Sequence, residues 1–283
     1  MVQEAIRKAD VLIEALPYIK TFHKTVFVIK YGGSILGEER VRKSVLEDIA
    51  FLRYTGIRPI LVHGGGPNIS ERLKQLNIKS EFIDGMRVTD EITLNIVEDE
   101  LNKLNDMIVD EINCHGALAQ GFKRSDKLIN AVKKDTQKDL GYVGDIINFD
   151  EHKLKEVMKT SIPVITPMGI GSDGTVYNIN ADDVAFYLAT KLKAQKLVLL
   201  TNVVGIMRAK DDTKSLLPSL HVSEVEDLLK EGIISGGMIP KVKAGVQAIA
   251  EGVGKAHIID AKIMHALLLE IFTNKGVGTE IVK

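Results

Sequence analysis

The residues of this chain whose types and spacing suggest chemistry are its glycine-rich turns and two of its lysines. Tyr31-Gly32-Gly33-Ser34 follows an apolar stretch ending in Lys30, and His63-Gly64-Gly65-Gly66-Pro67 follows another. A third stretch, Ile162–Ile165, runs toward Gly169 and Gly171. Glycine has no Cβ, so the N–H groups of such turns can approach a phosphate closely, and a helix starting there adds favourable partial charge. A single turn of this kind is equally a plain structural turn. Two on one sheet edge, one with a lysine at its strand end, point to an anionic ligand. Lys241 follows Gly236-Gly237-Met238-Ile239-Pro240. Read singly, Lys30 is a surface residue and Lys241 a solvated helix position. Read together, they are protonated point charges of the kind a transferring phosphoryl group needs around its oxygens. Asn178-Ile179-Asn180-Ala181-Asp182 places two amides and a carboxylate at a strand-to-helix junction. Either Asn180 or Asp182 caps the helix, or Asn178 binds substrate while Asp182 orients the lysines. Arg87, after Asp84-Gly85, is a candidate two-pronged clamp for a carboxylate.

Other chemistries fit less well. No GxxxxGK[ST] motif occurs. Gly169 to Gly174 matches GxGxxG but continues into residues 175–179, which alternate as a strand does, so it reads as a hairpin or loop and not a dinucleotide site. The seven histidines are scattered without HxxxH or CxxC spacing, and no metal site is expected. The single cysteine, Cys114, cannot form an intramolecular disulfide, which fits a reducing compartment. Lys plus Arg is 37 and Asp plus Glu is 38, a net charge of −1, so nothing calls for nucleic acid or an anionic membrane as partner. Charges at Glu4, Arg7, Lys8, Asp10 and Glu14 interrupt the N-terminal stretch as no signal peptide would allow, and no apolar run reaches the roughly 20 residues of a membrane span. A cytoplasmic protein is expected.

The elements that position these residues follow from periodicity. Residues 2–22 carry apolar side chains at helical spacing, and Pro17 is expected to kink that helix or end it at Leu16. The helix packs on its own core or on another subunit. From residue 25 strands and helices alternate: a strand at 25–30, a helix at 39–54, a strand at 59–62, helices from Asn68 and over about 89–115, and a β-rich stretch over about 118–149. A helix at 151–159, a strand at 162–165, a helix over about 181–192 and a strand at 196–200 come next. Helices near 222–230 and 240–252 precede a strand at 255–259, and the segment from His265 reads as a helix ending in Lys275-Gly276. The alternation predicts an α/β fold, a three-layer αβα sandwich around a central, mostly parallel open sheet. In such sheets ligands bind beyond the carboxyl ends of the strands, where the glycine turns lie.

From Thr25 to the C-terminus the motifs resemble the amino acid kinase superfamily, specifically the N-acetylglutamate kinases. Those carrying the likeness are Ile29-Lys-Tyr-Gly-Gly-Ser34, Leu61-Val-His-Gly-Gly-Gly-Pro67, Asp84-Gly-Met-Arg-Val-Thr89, Asn178-Ile-Asn-Ala-Asp182, Leu200-Thr-Asn-Val-Val-Gly205 and Gly236-Gly-Met-Ile-Pro-Lys241. The resemblance implies transfer of the γ-phosphoryl group of ATP, with Mg2+, to the γ-carboxylate of N-acetyl-L-glutamate. It implies that Lys30 and Lys241 bridge that group and Asp182 holds them. Gly32, Gly33 and Gly65 would contact phosphate, Gly65, Gly66, Arg87 and Asn178 the acetylated substrate, and Thr201, Asn202 and Gly205 the nucleotide. It implies one kinase domain over 23–283, with acetylglutamate bound by about 23–193 and ATP by about 194–283. The 1–22 helix resembles the extension that joins three dimers into a hexameric ring in arginine-sensitive members. Their inhibitor site is implied at Tyr18, Lys196, His265, Glu270, Gly276 and Gly278. Some members bind the nitrogen-signalling PII protein; nothing in this sequence indicates it. Sibling kinases acting on carbamate, glutamate, aspartate or a nucleoside monophosphate are the nearest alternatives, and a noncatalytic protein retaining the fold is another.

Overall fold

The computed structural model describes residues 2–32, 34–209 and 212–283. Along the chain, α1 (Val2–Phe22) precedes β1 (Val26–Tyr31), α2 (Glu39–Tyr54), β2 (Arg58–His63) and α3 (Gly66–Gln75). A short ribbon, β3 (Phe82–Ile83) and β4 (Met86–Arg87), leads into α4 (Glu91–Cys114). Then come β5 (Ala119–Phe122), β6 (Ile129–Lys133), β7 (Gly144–Phe149), α5 (Glu151–Thr160), β8 (Ile162–Ile165), β9 (Met168–Ile170), β10 (Val176–Asn178) and α6 (Ala181–Lys191). The last part holds β11 (Lys196–Thr201), β12 (Ser219–His221), α7 (Val225–Lys230), α8 (Met238–Ala250), β13 (Lys255–Asp260), α9 (Ala266–Phe272) and β14 (Thr279–Val282).

Eight strands form the central sheet in the order β12-β14-β13-β11-β1-β2-β8-β5. Neighbours run parallel except β13 and β14. The first strand of the chain therefore lies in the middle of the sheet. Strands buried on both faces need apolar residues on both, and the period of two divides them. Phe27, Ile29 and Tyr31 pack with Leu46, Ile49, Ile108 and Leu267 on one face. Val28 packs with Val184, Leu188 and Val242 on the other. Lys30 shares the face of Val28, and that alternation turns it toward α6. A second sheet, β10-β9-β6-β7, holds the 169–174 glycine turn as a hairpin between antiparallel β9 and β10, as its alternation predicted.

Helix starts follow local chemistry. Asp90 caps α4 by accepting from the Thr93 N–H at 2.7 Å, Asp150 caps α5, and Asn180 caps α6 by accepting from the Asp182 N–H at 2.8 Å. Three expectations are corrected. The first helix neither ends at Leu16 nor stops at Pro17; it continues to Phe22. Pro17 removes one helical donor, but beyond it Tyr18, Ile19 and Phe22 pack on the core, Phe22 edge-on to Phe27 at 5.4 Å, and tertiary contact holds the last turn. The helix begun after His265 ends at Phe272, three residues short of Lys275. The main-sheet strands β12 and β14 were not foreseen, because three or four residues at a sheet margin carry no periodic signal.

Candidate active site

Lys30 comes off the carboxyl end of β1, and its Nζ lies 2.9 Å from Asp182 Oδ1 in the first turn of α6. Asn180 is the capping residue, which frees the Asp182 carboxylate to face the lysine. The two glycine turns lie side by side: the Gly64 N–H donates to the Tyr31 carbonyl at 2.9 Å, and a Cβ on Gly32 would sit 3.3 Å from both the Gly64 nitrogen and Lys30 Nζ. Gly65 opens α3, packed so closely that a Cβ would stand 2.9 Å from Leu101. Gly33 lies outside the described residues.

Lys30, Gly64, Gly65, Gly66, Arg87 and Asn178 line one cavity of about 220 Å³. Arg87 is buried, and burial lowers its pKa. Its guanidinium donates to Ser80 Oγ at 2.6 Å, Ser70 Oγ at 2.7 Å and the Gly66 carbonyl at 3.1 Å, and it stacks 4.6 Å from the Phe82 ring. Three of its five N–H groups are thus committed to holding it in place, leaving two for a ligand. Asn178 Nδ2 donates to Thr89 Oγ1 at 3.2 Å, presenting the amide from β10. Sequence reading missed Lys134 and Asp183, which line the same cavity. Lys134 pairs with Asp145 and lies 3.8 Å from Asp183, whose pKa is raised by burial against the pull of Lys134. Lys134 gave no signal beside Lys133 in a strand, whereas Asp183 adjoins Asp182 and was legible as part of that junction.

Asp182 and Lys241 line a second cavity of about 250 Å³, together with Phe186, Leu199 and Pro240; Asn180 and Asp183 line both cavities. Lys241 Nζ donates to the Gly237 carbonyl at 3.3 Å and is not paired with Asp182. Thr201 ends β11 buried, its hydroxyl donating to the Val203 carbonyl at 3.1 Å and accepting from the Val203 N–H. Gly205 has φ +145°, and a Cβ there would stand 2.6 Å from Thr279 Oγ1. Both residues therefore shape the loop that carries exposed Asn202. Among the described residues no three His, Cys, Asp or Glu side chains converge as metal ligands do. None of the described helices is long and apolar enough to cross a membrane.

A third cavity, about 740 Å³, is lined by Tyr18, Lys196, Glu270 and Gly276 among others. Glu270 is buried, and its Oε2 accepts from the N–H groups of Val277 at 2.8 Å and Gly278 at 3.0 Å. Its Oε1 lies 2.7 Å from His257 Nδ1, and Lys196 Nζ lies 2.8 Å from His257 Nε2. A protonated lysine only donates, so His257 carries its proton on Nδ1 and donates it to Glu270. Burial opposes ionisation of Glu270, but the bond from His257 and the two N–H groups prevail and lower its pKa. Burial also pushes the Lys196 ammonium down to about 8. Gly276 has φ +61°, and a Cβ would meet Glu270 Oε2 at 2.5 Å. His265 does not join this group. It stands on the N-terminal side of α9 at φ +56°, with Nδ1 2.7 Å from buried Asp48 Oδ1 in α2.

The mostly parallel central sheet, with paired glycine turns and a carboxylate-held lysine at its carboxyl edge, defines an α/β fold. Residues 25–260 match the Amino acid kinase family. The chain is 47% identical over 285 residues to an acetylglutamate kinase of Syntrophomonas wolfei subsp. wolfei, covering 100% of this chain and 99% of that one. It is 47% identical over 283 residues to one of Petrotoga mobilis, covering 99% and 95%. An N-acetylglutamate synthase from Neisseria gonorrhoeae, solved with coenzyme A and N-acetyl-glutamate, superposes with a TM-score of 0.87 at 25% identity; the match covers 97% of this chain and 63% of the synthase chain. The chain belongs to the amino acid kinase family and, within it, to the acetylglutamate kinases.

Proposed function

We propose that this kinase transfers the γ-phosphoryl group of MgATP to the γ-carboxylate of N-acetyl-L-glutamate, giving N-acetylglutamyl 5-phosphate and ADP, the second step of arginine biosynthesis in the cytoplasm. The observation carrying the proposal is the Lys30–Asp182 pair at 2.9 Å, with Arg87 and Asn178 in one adjoining cavity and Lys241 in the other. Acetylglutamate enters the first cavity, within the lobe of about 23–193, its α-carboxylate on Arg87 and Asn178. ATP approaches from the lobe of about 194–283, on the Lys241 side. Mg2+ arrives with the nucleotide, held by phosphate oxygens. A γ-carboxylate with an ordinary pKa near ~4.3 is ionised at pH 7, so no general base is required. Its oxygen bonds to the γ-phosphorus as the bond to the bridging oxygen breaks, ADP leaves, and no proton moves. Lys30 and Lys241 neutralise charge on the equatorial oxygens, and the Gly65 N–H adds a fixed donor. ADP release with acetylglutamate, glutamate, aspartate, carbamate and UMP as separate acceptors tests this. Turnover confined to acetylglutamate is expected, and turnover only with another acceptor would overturn the substrate assignment.

The third cavity favours a second, regulatory reading: feedback inhibition by arginine. An anion at Glu270 and a cation at Lys196 suit a guanidinium at one end and a carboxylate at the other. Tyr18 and Gly276 belong to the lining of that cavity, the Gly278 N–H holds the Glu270 carboxylate, and His265 lies outside it on Asp48. The exposed apolar residues Val2, Ile6, Val11, Leu12, Ile13 and Leu16 on α1 suit interlacing of helices between dimers in a hexamer. Unchanged activity at saturating arginine would sink the first idea. Unchanged solution mass after deletion of residues 1–22 would sink the second.

A further inference from the structure

His63 is the last residue of β2, immediately before the three glycines that line the first cavity. It is fully buried, as is Asn105 of α4 beneath it. Asn105 Nδ2 donates to the Val164 carbonyl of β8 at 3.0 Å and lies 3.2 Å from His63 Nε2. A carbonyl can only accept, so the amide must present its NH2 there, and the second hydrogen of that NH2 faces the ring. His63 Nε2 must then carry a lone pair, and the ring proton resides on Nδ1. Nδ1 lies 3.2 Å from the Gly64 carbonyl oxygen and donates to it. Burial independently holds the imidazole neutral, with a pKa near 4. In a trans peptide the C=O and the following N–H point in opposite directions. A hydrogen bond to the Gly64 carbonyl therefore aims the Gly65 N–H the other way.

Asn105 fits this purpose poorly as a mere packing residue. Its Oδ1 is buried and has no hydrogen-bond partner among the described residues, a standing cost that an apolar side chain would avoid. Its oxygen lies where a Cβ on Gly121 would be 2.0 Å away, so β5 gives up a side chain to admit it.

We propose that His63 and Asn105 are positioning residues: Asn105 selects the Nδ1–H tautomer of His63, which locks the Gly64–Gly65 peptide and points the Gly65 N–H at the reacting phosphoryl group. This rests on the reading of Gly65 as a donor to that group.

The test uses the spatial equivalence of asparagine Nδ2 to histidine Nδ1 and of glutamine Nε2 to histidine Nε2. His63→Asn keeps a donor beside the Gly64 carbonyl; His63→Gln keeps only a group facing Asn105. In ADP release with MgATP and acetylglutamate, His63→Gln should lower kcat about 10- to 100-fold, short of full loss of an oxyanion donor, with both KM values changed by less than about 3-fold. His63→Asn should recover most of that loss. Equal losses in the two variants, or none in either, overturn the proposal. So does a 15N imidazole spectrum of the wild-type enzyme placing the His63 proton on Nε2, a measurement needing neither turnover nor a folded variant. Wild-type enzyme inactive with every acceptor would instead overturn the proposed function, and the tautomer would still decide the role of His63.

Discussion

Asp182→Asn isolates the part played by the carboxylate that holds Lys30, the cation proposed to act in phosphoryl transfer. The substitution keeps shape and leaves the α6 cap intact, because Asn180 bonds the backbone N–H of residue 182 and not its side chain. It removes the charge 2.9 Å from Lys30 Nζ. Two unit charges about 4 Å apart at an effective dielectric near 20 attract by about 4 kcal/mol. In the resting enzyme most of that is offset, since the side chains are 15% and 34% exposed and water solvates both ions; the net effect on stability should be about 0–1 kcal/mol. Melting temperature should therefore move by no more than about 3 °C. The transition state differs. In the proposed mechanism Lys30 stays at the oxygens of the moving phosphoryl group, and a cation that can swing away loses the advantage of a fixed charge. Displacing one such electrostatic contact costs about 3 kcal/mol, or about 100-fold in kcat. The assay is steady-state ADP release with each substrate varied in turn, beside a thermal melt. A kcat within about 3-fold of wild type would refute the reasoning, and so would a loss appearing only in the KM for ATP, since Asp182 would then serve nucleotide binding alone.

Arg87→Lys should raise the KM for acetylglutamate about 10- to 100-fold with kcat little changed, because an ammonium has three donors and cannot keep the bonds to Ser70, Ser80 and Gly66 and also donate to a carboxylate; a kcat effect without a KM effect would reassign it. The depressed pKa of Lys196 means the cost of its buried charge is absent above about pH 10.5 and fully present below about 8. Lys196→Met should accordingly be more stable than wild type at pH 7, by up to about 3 kcal/mol, and should lose the stability gain wild type shows between pH 8 and 10.5; urea melts at three pH values decide it. Asp48 has the opposite slope. Burial raises its carboxyl to about 6, against the pull of His265 and of the first-turn N–H groups of Leu267 and Leu268. Its contribution to stability is whole below about pH 4 and declines as pH rises through about 6, so Asp48→Asn should flatten that part of the profile. An unchanged slope would show that the pair with His265 carries the charge without cost.

Much of the site was legible because glycine turns and strand ends are local features. The period of two and the carboxyl-edge rule place Lys30 and the two glycine turns, whereas Arg87 and Asn178 stand on the small ribbon and the second sheet, and it was the family resemblance that brought them to the same cavity. The Lys30–Asp182 contact could be drawn from the strand-to-helix junction at 178–182. What failed depended on distant partners. The helix over 2–22 was legible; of the two effects expected of Pro17, a kink or an end at Leu16, the end does not occur, because Phe27, distant in sequence, holds the turn beyond it. His265 was carried toward the arginine cavity, yet Asp48, 217 residues earlier, takes its ring. Lys241 was expected on Asp182 and instead bonds its own helix start. His63 passed unremarked as one residue of a glycine motif, because only the fold puts Asn105 and Val164 around it.

The placement of β1 has a consequence for how the chain reaches this state. Phe27 pairs with Pro59 on one side, 32 residues on, and with Lys196 on the other, 169 residues on. At ribosomal rates of about 5–20 residues per second, the second partner is made some ten to thirty seconds after the first strand. Throughout that interval β1 offers an open hydrogen-bonding edge between two apolar faces, the kind of surface on which nascent chains stick to one another. Neither half can close its core alone, so Lys241, which comes to share a cavity with Asp182 only after β11 has joined the sheet, is placed last, and a chain truncated before β11 should depend on chaperones or aggregate rather than persist as a half-enzyme.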